Sequence, residues 1–447
     1  MSLLATKIEN AIITTDGISF VGSVVIRGEQ IAEIAHGHNA TCSTPIDRVV
    51  NAEGLRLLPG IIDSHVHFRE PGYTHKGNFS TESHAAAAGG VTSIIDMPNT
   101  LPQTTTQQAL REKLRLAAEH SIINFGAFWG ATNENAATID TLVTDAVAGI
   151  KIFMGASTGG MMLNDKHALQ KVFDKAKVPI VAHCESQRII ESESTNMRQK
   201  YGNNIPIQFH SLIRNRKACL ESTQEAIRLA KKSGACLHIA HVSTADELDL
   251  IANSPDFITA EACISYLMFD ETDYTQLGSR IKCNPAIKSP HDREVLLKGL
   301  SNEQIYTIAT DHAPHLLKEK EGDALRAASG IPMVQFSLPA MLQLEQEGLL
   351  NIEQLVTLMC HHPAKLFGIE NRGHIREGYQ ADLTLVDPNR PFEVTKDIIQ
   401  SLCRWSPLEG RIFKQQVVQT YVNGALVYDH GKFPLPESRG HALRYRH

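Results

Sequence analysis

The sequence predicts an α/β protein: a (β/α)8 TIM barrel with a small β-sandwich domain built from both chain termini. Three observations carry this expectation. Eight short, near-continuously apolar segments alternate with helical stretches through the middle of the chain. Shorter alternating segments recur at the two ends. The 447 residues suffice for one large core and a smaller second one.

The apolar segments are 61–68, 91–97, 122–129, 149–154, 179–184, 236–242, 257–263 and 305–310. Strands buried on both faces read as continuous apolar runs, and eight of them, each followed by a helix, favour a barrel over an open sheet. One intervening helix runs from Ser80 to Ala88, with Ser80 or Thr81 as its cap and Gly89-Gly90 as its stop. An open doubly wound sheet is the competitor, but neither G-x-G-x-x-G nor a P-loop is present to support it. Near the start, Ala11-Ile12-Ile13-Thr14 and the stretch 22–28 read as antiparallel strands; near the end, 381–387 and 417–424 do the same. Such small sheets are marginal alone, so the ends are expected to pair. This divides the chain into a β-sandwich of 1–53 plus 373–447 and a barrel of 54–372.

Apolar residues make up 42% and charged residues 21%, the profile of a soluble globular protein. No apolar run approaches transmembrane length, and the N-terminus lacks the layout of a signal peptide. A formal charge of −6 without a basic block argues against nucleic-acid or membrane partners. The eight cysteines contain no C-x-x-C pair, which fits reduced thiols in a cytoplasm.

Reactive groups of barrel enzymes sit at the C-terminal ends of the strands. Those ends carry His65 and His67 on the first strand, Lys151 on the fourth, His183 on the fifth, His241 on the sixth and Asp311 after the eighth. Strand alternation puts Asp63, His65 and His67 on one face. Imidazole and carboxylate are ligands for zinc and its neighbours, and a catalytic site adds an open position. Taken singly, His183 or His241 is as well explained as a satisfied core histidine, and Asp311 as a turn residue. Lys151 sits among apolar neighbours, where an ammonium is costly. Addition of carbon dioxide would make it an anionic ligand able to bridge two metals; the alternative is a lysine that snorkels out. By parity His238, His312 and Cys184 face away from the mouth, and His75, His84, His120 and His167 read as solvated.

These residues together resemble the amidohydrolase superfamily and, within its class I, hydantoinase-like branch, the dihydroorotases. The resemblance rests on Asp63-Ser64-His65-Val66-His67-Phe68-Arg69-Glu70-Pro71-Gly72, Met97-Pro98-Asn99-Thr100, Lys151, Ala182-His183-Cys184-Glu185, Ile239-Ala240-His241-Val242-Ser243 and 309–315. It implies two Zn2+ ions bridged by N6-carboxylated Lys151. His65, His67 and Asp311 would hold the more buried ion, and His183 and His241 the more exposed one. Asp311 would be the catalytic base and then acid. Arg69, Asn99 and His315 would bind a substrate carboxylate, Arg69 as a planar fork. Asn284 and the backbone around Gly330 would touch the ring, as would Thr158 in a lid spanning 155–160. The implied reaction is reversible hydrolysis of dihydroorotate to N-carbamoyl-aspartate in pyrimidine biosynthesis, by a cytoplasmic homodimer or larger homo-oligomer. Alternatives are a dihydropyrimidinase, hydantoinase or allantoinase and, more remotely, a non-catalytic assembly partner.

Overall fold

A single glycine, Gly60, separates strand Arg56–Pro59 of one sheet from strand Ile61–Val66 of another. The computed structural model describes residues 4–155, 160–435 and 440–447. The fold is α/β, with sequentially arranged parallel strands and a separate β-rich sheet. The parallel strands are β1 (Ile61–Val66), β2 (Val91–Asp96), β3 (Asn124–Ala127), β4 (Ile150–Phe153), β5 (Ile180–His183), β6 (Leu237–Ile239), β7 (Ile258–Cys263) and β8 (Thr307–Ala309). β1, β2 and β3 pair in order, and β4 through β8 do the same. Trp129–Gly130 continues from β3 and pairs with β4. The first strand lies beside the segment that follows the last: the His67 N–H donates to the His312 carbonyl at 2.7 Å. No helix among the described residues is long and apolar enough to cross a membrane.

Both ends of the chain enter the β-rich sheet. From the front come Ala5–Thr15, Ile18–Arg27, Gln30–His36, Arg48–Asn51 and Arg56–Pro59; from the back come Leu383–Asp387, Gln416–Val422 and Ala425–Asp429. The seam between them is antiparallel, with Leu57 opposite Leu385. Alternation of apolar residues explains the buried face, where Ile13, Val24, Leu57, Leu383 and Tyr421 pack together. Residues 440–447 leave this sheet and run along β3, where Leu443 N–H donates to the Phe125 carbonyl.

Two local expectations are corrected. The helix Phe79–Ala88 is capped by Asn78, not by Ser80 or Thr81. Asn78 Oδ1 accepts from the Thr81 N–H at 2.9 Å while Thr81 Oγ1 accepts from the Asn78 N–H, a reciprocal cap that places Thr81 inside the first turn. In β1 the pairing register shifts between Asp63 and Val66. An extra residue at such a bulge breaks simple alternation. Asp63 therefore accepts from Thr310 Oγ1 and the Thr310 and His65 N–H groups instead of joining the two histidines, and burial raises its pKa to about 7.

Residues of one parity along the strands, including Ile61, Ile94, Ile180 and Ile239, join the main core with the helices. Those of the other parity, including Ile62, Ile95, Phe128, Val181 and Ala240, form a second cluster with Phe367. Phe367 meets Phe128 at 5.5 Å, ring centre to ring centre, and is fully buried. Phe367→Ala is expected to cost about 3–5 kcal/mol through lost burial and a cavity. A urea midpoint within experimental error of the parent would contradict this.

Candidate metal centre and substrate cavity

The site is built from strand ends whose last residues leave regular geometry. Arg69, His241 and Asp311, just past β1, β6 and β8, have φ of +71°, +41° and +49°. Non-glycine residues in the left-handed region cost of order 1–3 kcal/mol and persist where surrounding structure imposes them. Here the backbone turn aims three polar side chains at one cavity. It also corrects the reading of His238, whose orientation was counted along a regular strand running through His241. His238 lies inside the strand array, in register with Lys151, Val181 and Thr259, and bonds Thr259 Oγ1 at 2.7 Å and Thr307 Oγ1 at 3.0 Å.

The cavity is lined by His65, His67, Arg69, Asn99, Phe153, His183, His241, Asn284, Asp311, Ala313, Ser329 and Gly330. Hydrogen-bond partners fix the ring tautomers. His65 Nδ1–H donates to Glu261 Oε1 at 2.7 Å, and His67 Nδ1–H donates to Asn99 Oδ1 at 2.8 Å. Both Nε2 atoms then carry lone pairs, and they face the same carboxylate oxygen, Asp311 Oδ1, at 3.4 and 3.0 Å. Two lone pairs and an anion repel one another unless a cation sits among them. A proton on His67 does not serve near neutral pH, because burial depresses its pKa to about 4. The donor set therefore fits a divalent metal of zinc's class.

A second pair completes the site. His183 Nδ1 and His241 Nε2 lie 2.9 Å apart, His183 Nε2–H donates to Glu185 Oε2 at 3.0 Å, and His241 Nδ1 is buried without a partner. Burial lowers the pKa of both rings, so both offer lone pairs. Lys151 is fully buried, its Nζ has no hydrogen-bond partner, and burial lowers its pKa to about 8. An unpaired buried ammonium is among the costliest groups a core can hold. A carboxylated Lys151 would bring oxygen ligands into this same region.

Arg69 is buried on the cavity wall, where Nε donates to the Pro314 carbonyl at 3.0 Å and burial lowers its pKa to about 10. His315 stands beside it, off the cavity lining, with Nε2 3.1 Å from Arg69 Nη2. Its Nδ1 accepts from the Lys76 ammonium at 3.2 Å, so Nε2 carries the hydrogen and donates to the Ser329 carbonyl. His315 thus ties down the Ser329 wall and packs beside Arg69. Asn284 Oδ1 is buried without a partner. Thr158 lies outside the described residues.

Sequence reasoning overlooked Glu261. Its Oε1 accepts from both His65 Nδ1–H and the His241 N–H (2.9 Å), tying one histidine from each pair to a single atom. The signal was available: a glutamate within the apolar strand β7 is as anomalous as Lys151 in β4. Glu185, anchored in turn by Arg214, does the same for His183.

Eight sequential parallel strands thus carry a histidine-rich cavity at their C-terminal ends. Residues 56–427 match the Amidohydrolase family, and the chain belongs to that family. Among curated relatives, it is similar to a dihydroorotase of Halobacterium salinarum, 35% identical over 84% of this chain and 86% of the relative. It is also similar to an allantoinase of Deinococcus radiodurans, 33% identical over 94% of each. Among solved structures, the L-hydantoinase of Arthrobacter aurescens superposes with a TM-score of 0.93 at 27% identity, covering 99% of this chain and all of that one.

Proposed function

We propose that this chain is a zinc-dependent dihydroorotase acting in pyrimidine biosynthesis. The observation that carries the reading is Arg69: a buried guanidinium on the wall of the cavity into which His65, His67 and Asp311 converge. A cyclic amide with an acidic substituent meets both parts at once. Support also comes from the dihydroorotases among the relatives, which align over most of the chain.

In this reading His65, His67 and Asp311 would hold one Zn2+, His183 and His241 would hold a second, and a carboxylated Lys151 would supply oxygen ligands to both. When bound, the metals supply an activated water and a Lewis acid near neutral pH. The chain's own groups do the rest. Arg69 takes the substrate carboxylate in a two-pronged ion pair, with Asn99 and His315 as its further donors. Asn284 and the main chain around Gly330 orient the ring. Asp311 accepts the water's proton and returns it to the ring nitrogen as the amide C–N bond breaks, giving N-carbamoyl-aspartate. In the reverse direction the same carboxylate handles the proton lost on ring closure.

The same reading includes a closed barrel over 54–372 with a β-sandwich of 1–53 plus 373–447, in a cytoplasmic homodimer or larger homo-oligomer; the bond from the His67 N–H to the His312 carbonyl supports the closure. The test is side-by-side turnover of dihydroorotate, dihydrouracil, hydantoin and allantoin by zinc-loaded protein. The acid should be preferred; faster turnover of allantoin would favour the second reading, which the nearly full-length match to an allantoinase supports.

Glu261 is expected to act through the histidines it holds. Partners of this kind tune metal affinity by about 10–100-fold. Glu261→Gln should weaken zinc binding by that order in a chelator competition. Unchanged affinity would reduce Glu261 to a structural residue.

A further inference from the structure

Lys320 ends the short turn Leu317–Lys320 and is 1% exposed. Its ammonium donates to three main-chain carbonyls: Lys282 at 2.9 Å, Ala328 at 2.8 Å and Gly330 at 2.8 Å. The Trp405 ring lies 5.9 Å from it. These partners are dipoles and an aromatic face, which compensate a buried charge less completely than a carboxylate does. Burial lowers the Lys320 pKa to about 7. An apolar side chain would leave three main-chain carbonyls without this donor, so the ammonium's contribution lies in the segments it joins.

That geometry belongs to the cavity. Asn284 follows Lys282 by two residues, and Asn284, Ser329 and Gly330 all line the wall. The Gly330 N–H donates to the Lys282 carbonyl at 2.9 Å, so the same two segments are tied twice. Gly330, at φ +143°, also packs where an added Cβ would meet the Ala313 carbonyl at 2.5 Å and the His315 ring at 2.9 Å. The Ser329 carbonyl accepts from His315, which stands against Arg69. Trp405, over which the ammonium sits, donates from Nε1 to the His315 carbonyl at 2.7 Å. One cation therefore touches both walls and, through Ser329 and Trp405, reaches the His315 that packs beside the Arg69 fork.

We infer that Lys320 is a positioning residue: its ammonium ties the Asn284 and Ser329–Gly330 walls together and sets the pocket in which Arg69 receives an anionic group. The inference rests on the proposed reading of this cavity as the substrate site. Lys320→Met preserves length and removes every donor. Amide exchange at 283–284 and 328–331 should accelerate, with the strands unaffected. The KM for dihydroorotate should rise by about tenfold, with kcat within about twofold and zinc content unchanged, as expected for loss of hydrogen bonds to a charged group. In Lys320→Ala, added ethylammonium should recover part of the KM. Unchanged exchange at both walls in folded Lys320→Met overturns the inference; so does faster exchange with an unaltered KM, which would make Lys320 a structural staple only. If Lys320→Met does not fold, Lys320→Gln, which retains a donor, is measured in the same way. Failure of the parent protein to turn over any cyclic amide would count against the proposed function, and wall exchange would still decide the role of Lys320.

Discussion

Asp311→Asn should lower turnover by about 10^3- to 10^4-fold and weaken metal retention at the same time. Removing a positioned acid–base group alone costs about 10^2–10^4 in rate. Here the same carboxylate also faces the Nε2 lone pairs of His65 and His67, at 3.4 and 3.0 Å. Asparagine keeps the shape but loses the negative charge that makes these three atoms a cation site. The measurement pairs kcat with metal analysis of the purified variant. Zinc retained together with activity within tenfold of the parent would remove Asp311 from both roles.

Arg69→Met should discriminate between substrates. Truncating one member of a buried, hydrogen-bonded charge pair costs about 2–5 kcal/mol, roughly 30- to 5,000-fold in kcat/KM for a substrate that carries the carboxylate. A neutral ring such as dihydrouracil never forms that pair, so its kcat/KM should change by only a few-fold. Arg69→Lys is not a conservative control, because an ammonium cannot reproduce the planar fork. Equal losses on the acid and the neutral ring would mean that Arg69 acts on the wall's structure, not on the carboxylate.

Much of the architecture was legible because hydrophobic periodicity is a local signal. The expected strand segments coincide with β1 to β8 apart from trimmed ends, and the apolar alternation at the two ends marks the strands that meet across Leu57 and Leu385. His65, His67, His183, His241 and Asp311 were found by placing strand ends, and the structure brings them to one cavity. Parity failed where the backbone left regular geometry. The bulge in β1 removed Asp63 from the histidine face, and the left-handed turn at His241 reversed the reading of His238. Glu261 and Lys320 were missed for a different reason. The two histidines bonded to Glu261 lie 20 and 196 positions away and the carbonyls bonded to Lys320 8 to 38, so their importance depends on contacts that periodicity does not encode.

The antiparallel seam at Leu57 and Leu385 also sets an order of events during synthesis. Strand Arg56–Pro59 leaves the ribosome after its neighbour Ala5–Thr15, but the strand that covers its other edge is encoded more than three hundred positions later. At about 5–20 residues per second, the wait is roughly tens of seconds. Throughout it, a partly apolar sheet edge with unpaired main-chain groups faces solvent, where it can recruit other nascent chains. Long-range closure of this kind is intrinsically slow. Yield in a heterologous host should therefore depend on translation rate and chaperone supply more than on the final stability of the folded protein.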